Sequence, residues 1–424
     1  MNKGENLKMK YIVYGIGQDF QKFRYAIDGE IVGYVDRCAD GKKTIDGHPV
    51  LTLEQALTFN FDKCIICSRK YFKEIYKIVN IYLDASKICY ILDLINENSF
   101  INENKIYLTG LNHAGKCLQY SKIYVVSPIG IHSGGVELLH QLVQRLNDIG
   151  RNAFIAYSRV NTKEKLLVFS EYKKYIRNNA VAVDEIDDTV SNLIIIPETM
   201  TEITAKFKFA QIYLWWLSVD NFFYTFDRKF KDGLSRVSMN LYQSEYAKMF
   251  LENLHVDNKA PLSDYLDEQF CVTQVDDSHK KDIVLYNPSK GYCFTQYFLE
   301  RNPDLKYKAL INMTRDEMYR SLREAKVYID FGNHPGKDRI PREAAVSGCC
   351  VITGLRGAAK NELDIQIPSC FKFAEDSDQI ENIRATIDTC MIDYNCMKDK
   401  YKDYVRKILD EKNIFNKQVE AIFG

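Results

Sequence analysis

The chain carries no net charge: Lys plus Arg and Asp plus Glu both number 57 in its 424 residues. That balance excludes the broad basic field with which proteins bind nucleic acid or anionic lipid without sequence preference, so any basic patch has to be local. No segment approaches the roughly 18 to 20 apolar residues that a membrane-spanning helix requires, and a membrane contact, if there is one, is peripheral. A secretory leader is not expected, because the first ten residues, MNKGENLKMK, are polar and run into an ordinary strand. A second zinc-type cysteine pair is missing too. Cys64 and Cys67 in DKCIICS have zinc-like spacing, but no further CxxC or HxxxH accompanies them, and the segment reads as an apolar strand. Cys349 and Cys350 in GCCVITG bring no other ligands, while a zinc site needs four that converge, so no metal is expected and these cysteines read as buried strand thiols. Twelve cysteines with only seven histidines and no leader point to a reduced, cytoplasmic setting rather than a disulfide framework. Internal repeats and low-complexity tracts are absent as well.

What is present is an alternation of strands and helices. The length exceeds one ordinary core and predicts two or three domains, and 46% hydrophobic residues are enough to build them. Residues 1–110 open with KYIVYGIGQDFQKFRYAIDGEIVGYVD, which reads as strand, glycine turn, short helix, strand. Gly15 and Gly17 supply the tight turn, and Asp36 ends the next strand 21 positions after Gly15, in the outline of a dinucleotide fingerprint. Phe20 occupies the place of the third glycine, so an accessory α/β domain is the leading expectation and a nicotinamide-dependent oxidoreductase or epimerase the alternative. KCIICS and KICYILDL read as further strands of this unit. The Asn-rich NENSFINENKIYLTGLNHAGK reads as a linker.

A second unit, residues 120–260, begins with the strand KIYVVSP, the turn IGIHSGG and a helix. In VELLHQLVQRLNDIG the apolar positions Val136, Leu139, Leu142, Val143, Leu146 and Ile149 recur at the spacing of one buried helical stripe, and Gly150 is placed to end it. NLIIIPE and QIYLWWLSVDN are apolar runs of the central-parallel-strand type, with Trp215 and Trp216 expected in the core. A third unit, residues 261–424, restarts at KKDIVLYNPSKG, with Thr314 and Glu317 forming a capping box ahead of the strand KVYIDFG. The fold class is therefore α/β with parallel sheets.

The chemistry concentrates in FGNHPGKDRIPREAAVSG. Ligands of parallel α/β sheets bind beyond the carboxyl ends of strands, where VYIDF delivers this loop. A helix starting near Pro341 offers free N–H groups and the positive end of its dipole, with Lys337 and Arg339 just upstream, and a diphosphate is the simplest anion to match them. Glu343 in the first turn either compensates the dipole or accepts hydrogen bonds from the vicinal hydroxyls of a ribose.

SPIGIHSGGVELLHQLVQRLNDIG, NPSKG and PREAAVSGCCVITG together resemble the retaining nucleotide-sugar glycosyltransferases of family 4, the group 1 type with a GT-B fold, over roughly residues 122 to 415. The resemblance implies two Rossmann-like domains facing a cleft, here preceded by a smaller Rossmann-like domain, with no cofactor beyond the nucleotide-sugar donor and a glycan or lipid-linked glycan as acceptor. It implies that Gly134 and Gly135 form the glycine loop, that Lys290 meets the donor diphosphate and that Glu343 binds the donor. Family members carry a first Glu eight positions before the second; Pro335 stands there in this chain, with Asp338 or His334 as substitutes, and Gly336 completes the loop. Retention and independence of metal follow from the same resemblance, in keeping with the lack of a DxD triplet in a suitable loop. Gly134 and Gly135 either let a ligand approach the backbone or give the helix start room. His132, Ser218, Asp220 and Asn221 are candidate sugar contacts, and His140 within the helix reads as structural. The loss of the first glutamate also supports a non-catalytic sugar-nucleotide or glycan-binding module.

Overall fold

The structure, a computed structural model, describes residues 8–37, 39, 43–112, 120–158, 170–176, 179–271 and 277–424. They form three sheets in series. The first runs in the order Thr44–Ile45, His48–Leu51, Glu30–Val35, Lys10–Tyr14, Lys63–Ile66, Ile88–Tyr90, parallel except for the short hairpin that starts it. The second, in the order Lys259–Pro261, Val237–Tyr242, Gln211–Trp216, Asn192–Pro197, Lys122–Pro128, Ala153–Ser158, Ala180–Ala182, is parallel throughout. So is the third, Tyr307–Ala309, Lys281–Tyr286, Ala325–Asp330, Cys350–Thr353. Helices cover both faces of such sheets, which is why Leu193 to Ile196 in the middle of the second sheet are fully buried without alternating. Trp215 and Trp216 are buried beside them, each indole N–H satisfied, by Leu262 O at 2.9 Å and by Asn240 Oδ1 at 3.0 Å.

The helix Gly134–Asp148 starts where Ser133 accepts a hydrogen bond from Val136 N–H and ends before Gly150, whose φ of 80° suits only glycine without strain. Its stripe of Val136, Leu139, Leu142, Val143 and Leu146 is buried, and so are Glu137, His140 and Gln141 on its other side. Tyr157 and Tyr172 cover His140 and Tyr175 covers Glu137, while the C-terminal helix Lys402–Phe423 packs on the same core. That helix leaves the third core, where Tyr404 and Ile408 sit, and delivers Phe415, Val419 and Phe423 to the second. Gln418 Oε1 accepts from Ser263 N–H at 2.7 Å at this crossing.

Three local expectations need correction. The Asn-rich stretch is no linker over its first half: Glu97–Leu108 is a helix, capped by Asn96 and Ser99. Asn104 is buried and accepts from Arg228 Nε at 2.9 Å, and Phe100 stacks on Phe223 of the second unit at 4.4 Å, so one continuous core joins the first unit to the second. Residues 113–116 of that stretch lie outside the described residues. KICYILDL pairs only over Ile88–Tyr90, then turns into the short helix Ile91–Leu94. The Pro341 helix begins at Arg339, which puts Pro341 third. A proline is tolerated there because the N–H groups of the first turn have no partner within the helix. Cys64, Cys67, Cys349 and Cys350 are buried, and burial pushes the Cys64 thiol up to about 12.

Candidate functional site

The second and third sheets present their carboxyl edges to one another. The segments that leave Lys122–Pro128, Gln211–Trp216 and Val237–Tyr242 on one side, and Lys281–Tyr286 and Ala325–Asp330 on the other, enclose a cavity of about 330 Å³. Gly134, Gly135 and Ser218 line it opposite Lys290, Gly336, Lys337, Asp338, Arg339 and Pro341. The residues read from two distant stretches of sequence thus share one hollow. The halves touch directly: Val219 N–H donates to Pro335 O at 2.7 Å and Lys337 N–H to Gln243 Oε1 at 3.2 Å. Two glycines permit this approach. A Cβ on Gly134 would run into the Arg339 side chain, and one on Gly336 into Leu217 O.

The cations of the cleft are not left open. Lys290 pairs with Asp338, whose carboxylate also lies 2.9 Å from the imidazole of the fully buried His334. Burial alone would raise the Asp338 carboxyl, but Lys290 and His334 outweigh it and lower it to about 2. The same carboxylate, with Asp330, raises His334 against the opposing effect of burial. Lys337 meets Glu411 at 2.6 Å, and Arg342, fully buried, bridges Asp264 and Glu411. Arg339 spans the cleft to Glu137 at 2.5 Å on the Gly134 helix, where Arg315 also arrives at 3.2 Å. These two guanidinium groups hold Glu137 below the ordinary carboxylate range although burial pushes it upward. Arg339 still has capacity: its Nε and Nη2, both buried, donate to no acceptor among the described residues. Asp330 Oδ1 is likewise buried and unbonded at the floor of the same cavity.

Glu343 stands just behind this wall. Its carboxylate is 3.6 Å from Arg339 Nε, and burial raises its pKa more than Arg339 lowers it. His132 is exposed and stacks over Tyr172 at 5.6 Å, away from the cavity lining. His140 is buried, bonded to Val136 O and Tyr157 OH, and burial lowers it to about 4. Asp220 and Asn221 line a second cavity that borders the first. In the first unit, Gly15, Gly17 and Asp36 line a separate hollow of about 800 Å³ with Arg69, and Phe20, at the third-glycine position, is buried in the core.

Sequence reading missed several participants, Glu411, Arg315 and Asp330 among them. Glu137 and Asp264 hold the cations, Gln243 joins the halves, and Glu198 braces the wall by accepting Leu217 N–H at 2.8 Å. Burial pushes the Glu198 carboxyl up to about 7 despite the backbone donors of Leu217 and Ser218. A visible signal existed for Glu198 and Glu137: each is an acid at the carboxyl edge of a parallel strand or in the first turn of the helix that follows.

Residues 7–89 match a family described as C2185-like, N-terminal. No curated protein matches the chain. Among solved structures, an alpha-glucosyltransferase (AGT) in complex with UDP aligns at 10% identity over 72% of this chain and 100% of its own, with a TM-score of 0.50. The alpha-glucosyltransferase in complex with UDP and a 13-mer DNA gives the same coverage and 10% identity at a TM-score of 0.51. Anabaena HepE in complex with UDP-glucose aligns at 12% identity over 71% of this chain and 98% of its own, with a TM-score of 0.50. The likeness is one of fold: the chain has an α/β architecture of the GT-B type, with two parallel sheets edge to edge across a cleft.

Proposed function

We propose that the chain transfers a glycosyl residue from a nucleoside-diphosphate sugar to a glycan or lipid-linked glycan, with retention and without a metal. The observation that carries this reading is Arg339, which reaches across the cleft with two buried N–H groups that donate to no acceptor among the described residues. A buried donor without a partner costs about 1–3 kcal/mol, and the oxygens of a diphosphate would satisfy both at once. Lys290 and the first turn of the helix Arg339–Val346 border the same cavity and add positive charge. Glu343, behind the cavity wall, would steady Arg339 from 3.6 Å.

In this reading the sugar–phosphate bond breaks as negative charge gathers on the departing nucleoside diphosphate. Fixed cations aimed at those oxygens lower the barrier because they bind the leaving group more tightly in the transition state than in the ground state. Asp338 and Glu137 keep Lys290 and Arg339 ordered until the donor's phosphates compete for them. The structural neighbours named above are described in complex with UDP or UDP-glucose, which makes UDP the first nucleotide to try.

The test is a thermal-shift panel with UDP, GDP, ADP and dTDP. One of them should raise the melting temperature, by the equivalent of roughly 2.7 kcal/mol at about a hundredfold excess over its Kd, and Lys290→Ala and Arg339→Ala should lose the shift. Stability unchanged by all four nucleotides rejects the reading.

A further inference from the structure

A second cavity, of about 350 Å³, lies where the three units meet. The first unit contributes Phe72 and Tyr90, the second Asp220 and Tyr224, the third Tyr292 and Asn333, and Asn287 and Lys290 line both this cavity and the cleft. We propose that this cavity is the acceptor subsite, that it holds one neutral pyranose ring of a glycan, and that the first unit supplies its apolar wall. The proposal rests on the transfer reading above and adds to it the place where one sugar ring of the acceptor is held and a role for aromatic residues that no part of that reading uses.

A pyranose has an apolar face of C–H groups and a rim of hydroxyls that both donate and accept. The cavity offers the complement of each. On one side Phe72 and Tyr90 lie 4.1 Å apart and Tyr292 meets Phe72 edge-on at 5.8 Å, so the first and third units share a single aromatic cluster. Lys73 sits over the Tyr292 ring at 5.4 Å and borders the same cavity. On the other side stand a carboxylate and carboxamides. Tyr246 OH donates to Asp220 Oδ1 at 2.6 Å, which fixes that side chain, and Asn333 Nδ2 donates to Tyr224 OH at 2.9 Å. The volume lies within the range of about 300–1,000 Å³ typical of small-ligand sites. Because Lys290 borders both hollows, a hydroxyl held here lies next to the place where the donor's diphosphate would be held.

The test uses the full chain in saturation-transfer NMR with methyl α-D-glucopyranoside, methyl β-D-galactopyranoside and methyl N-acetyl-β-D-glucosaminide, in the presence of whichever of the four nucleotides shifts the melting temperature, or of UDP if none does. At least one glycoside should receive saturation from the wild-type protein, and Phe72→Ala and Tyr292→Ala should weaken its binding about ten-fold, the loss of one good ring contact. Phe72 is buried and its removal leaves a cavity in the first unit; Asn221→Trp, which puts bulk on an exposed position of the rim, gives the same expected loss without disturbing the core. Failure of all three glycosides to bind, or equal binding by wild type and the three variants, overturns the proposal. A nucleotide shift that persists in that case leaves the transfer reading standing. Glycoside binding that depends on Phe72 and Asn221, with no response to any nucleotide, supports the sugar site and removes the transfer reading instead.

Discussion

At the scale of single residues, two groups dominate the cleft. Arg339 is fixed at one end by Glu137 and passes over Gly134, where a side chain would collide with its methylenes. Gly134→Val should therefore displace the guanidinium and weaken nucleotide affinity by about ten-fold or more, the loss of one charge-assisted hydrogen bond, as read by calorimetric titration. Glu198 works through protons. Its folded pKa of about 7 lies above the ordinary 4.5, so the folded state holds the proton more tightly than the unfolded chain does. Its contribution is full below pH 4.5 and is lost as pH rises toward 7, by an amount on the order of 3 kcal/mol. In Glu198→Gln the denaturant midpoint should fall less than in the wild type between those two values. Equal slopes for both proteins would mean that Glu198 is not the titrating group. Asp338 acts in the opposite sense, because its lowered pKa gives stability that is lost only as pH falls through 3.8 toward 2.

At the scale of elements, the C-terminal helix carries the most structural responsibility. It begins in the third core and ends in the second, so its three buried apolar positions hold the cleft halves at one spacing. Phe415→Ala should cost about 3–5 kcal/mol, measured as a shift in denaturant midpoint, since Phe415 is fully buried between the Gly134 helix and Tyr265. A second clasp lies on the other rim, where Asp364 of the third unit accepts Glu245 N–H at 2.8 Å and Tyr246 N–H at 2.9 Å and thereby caps a helix of the second. Its removal to Ala should cost about 1 kcal/mol, the usual value of a lost cap. The same residue change should also loosen the closed arrangement, detectable as faster amide exchange at Tyr246.

At the scale of the molecule, the first unit is joined to the rest by packing rather than by a tether. Phe100 sits among Phe222, Phe223 and Phe226, and Arg356 of the third unit donates to Asp93 O of the first at 2.6 Å. Deleting residues 1–110 would expose that aromatic cluster, and the truncated chain should aggregate or lose its cooperative melting transition rather than behave as a soluble two-sheet protein. A truncated form that melts as sharply as the full chain would show the interface to be dispensable.

Much of this architecture was legible in the sequence because it rests on periodicity. Continuous apolar runs such as NLIIIPE mark strands covered on both faces, the stripe from Val136 to Leu146 marks a helix, and the capping pair Thr314 and Glu317 marks another, all local features that need no partner to be recognised. The loop from His334 to Asp338 was legible as a connection between a parallel strand and a helix, because an apolar run precedes it and a helical stretch follows. What the chain alone could not disclose was pairing at a distance. Nothing local in Lys337 announces Glu411, 74 positions away, or in Arg339 its partner Glu137, 202 positions away, yet these contacts decide which charges remain available in the cleft. The aromatic wall built jointly by Phe72, Tyr90 and Tyr292 is equally invisible, since aromatic residues scattered along a sequence form no pattern until three units meet. Where strands and helices form follows from residue order, because side-chain periodicity and backbone caps act within a few residues; which cations are neutralised and where cavities lie follow from the folded arrangement, because Coulomb attraction and packing act through space without regard to chain order.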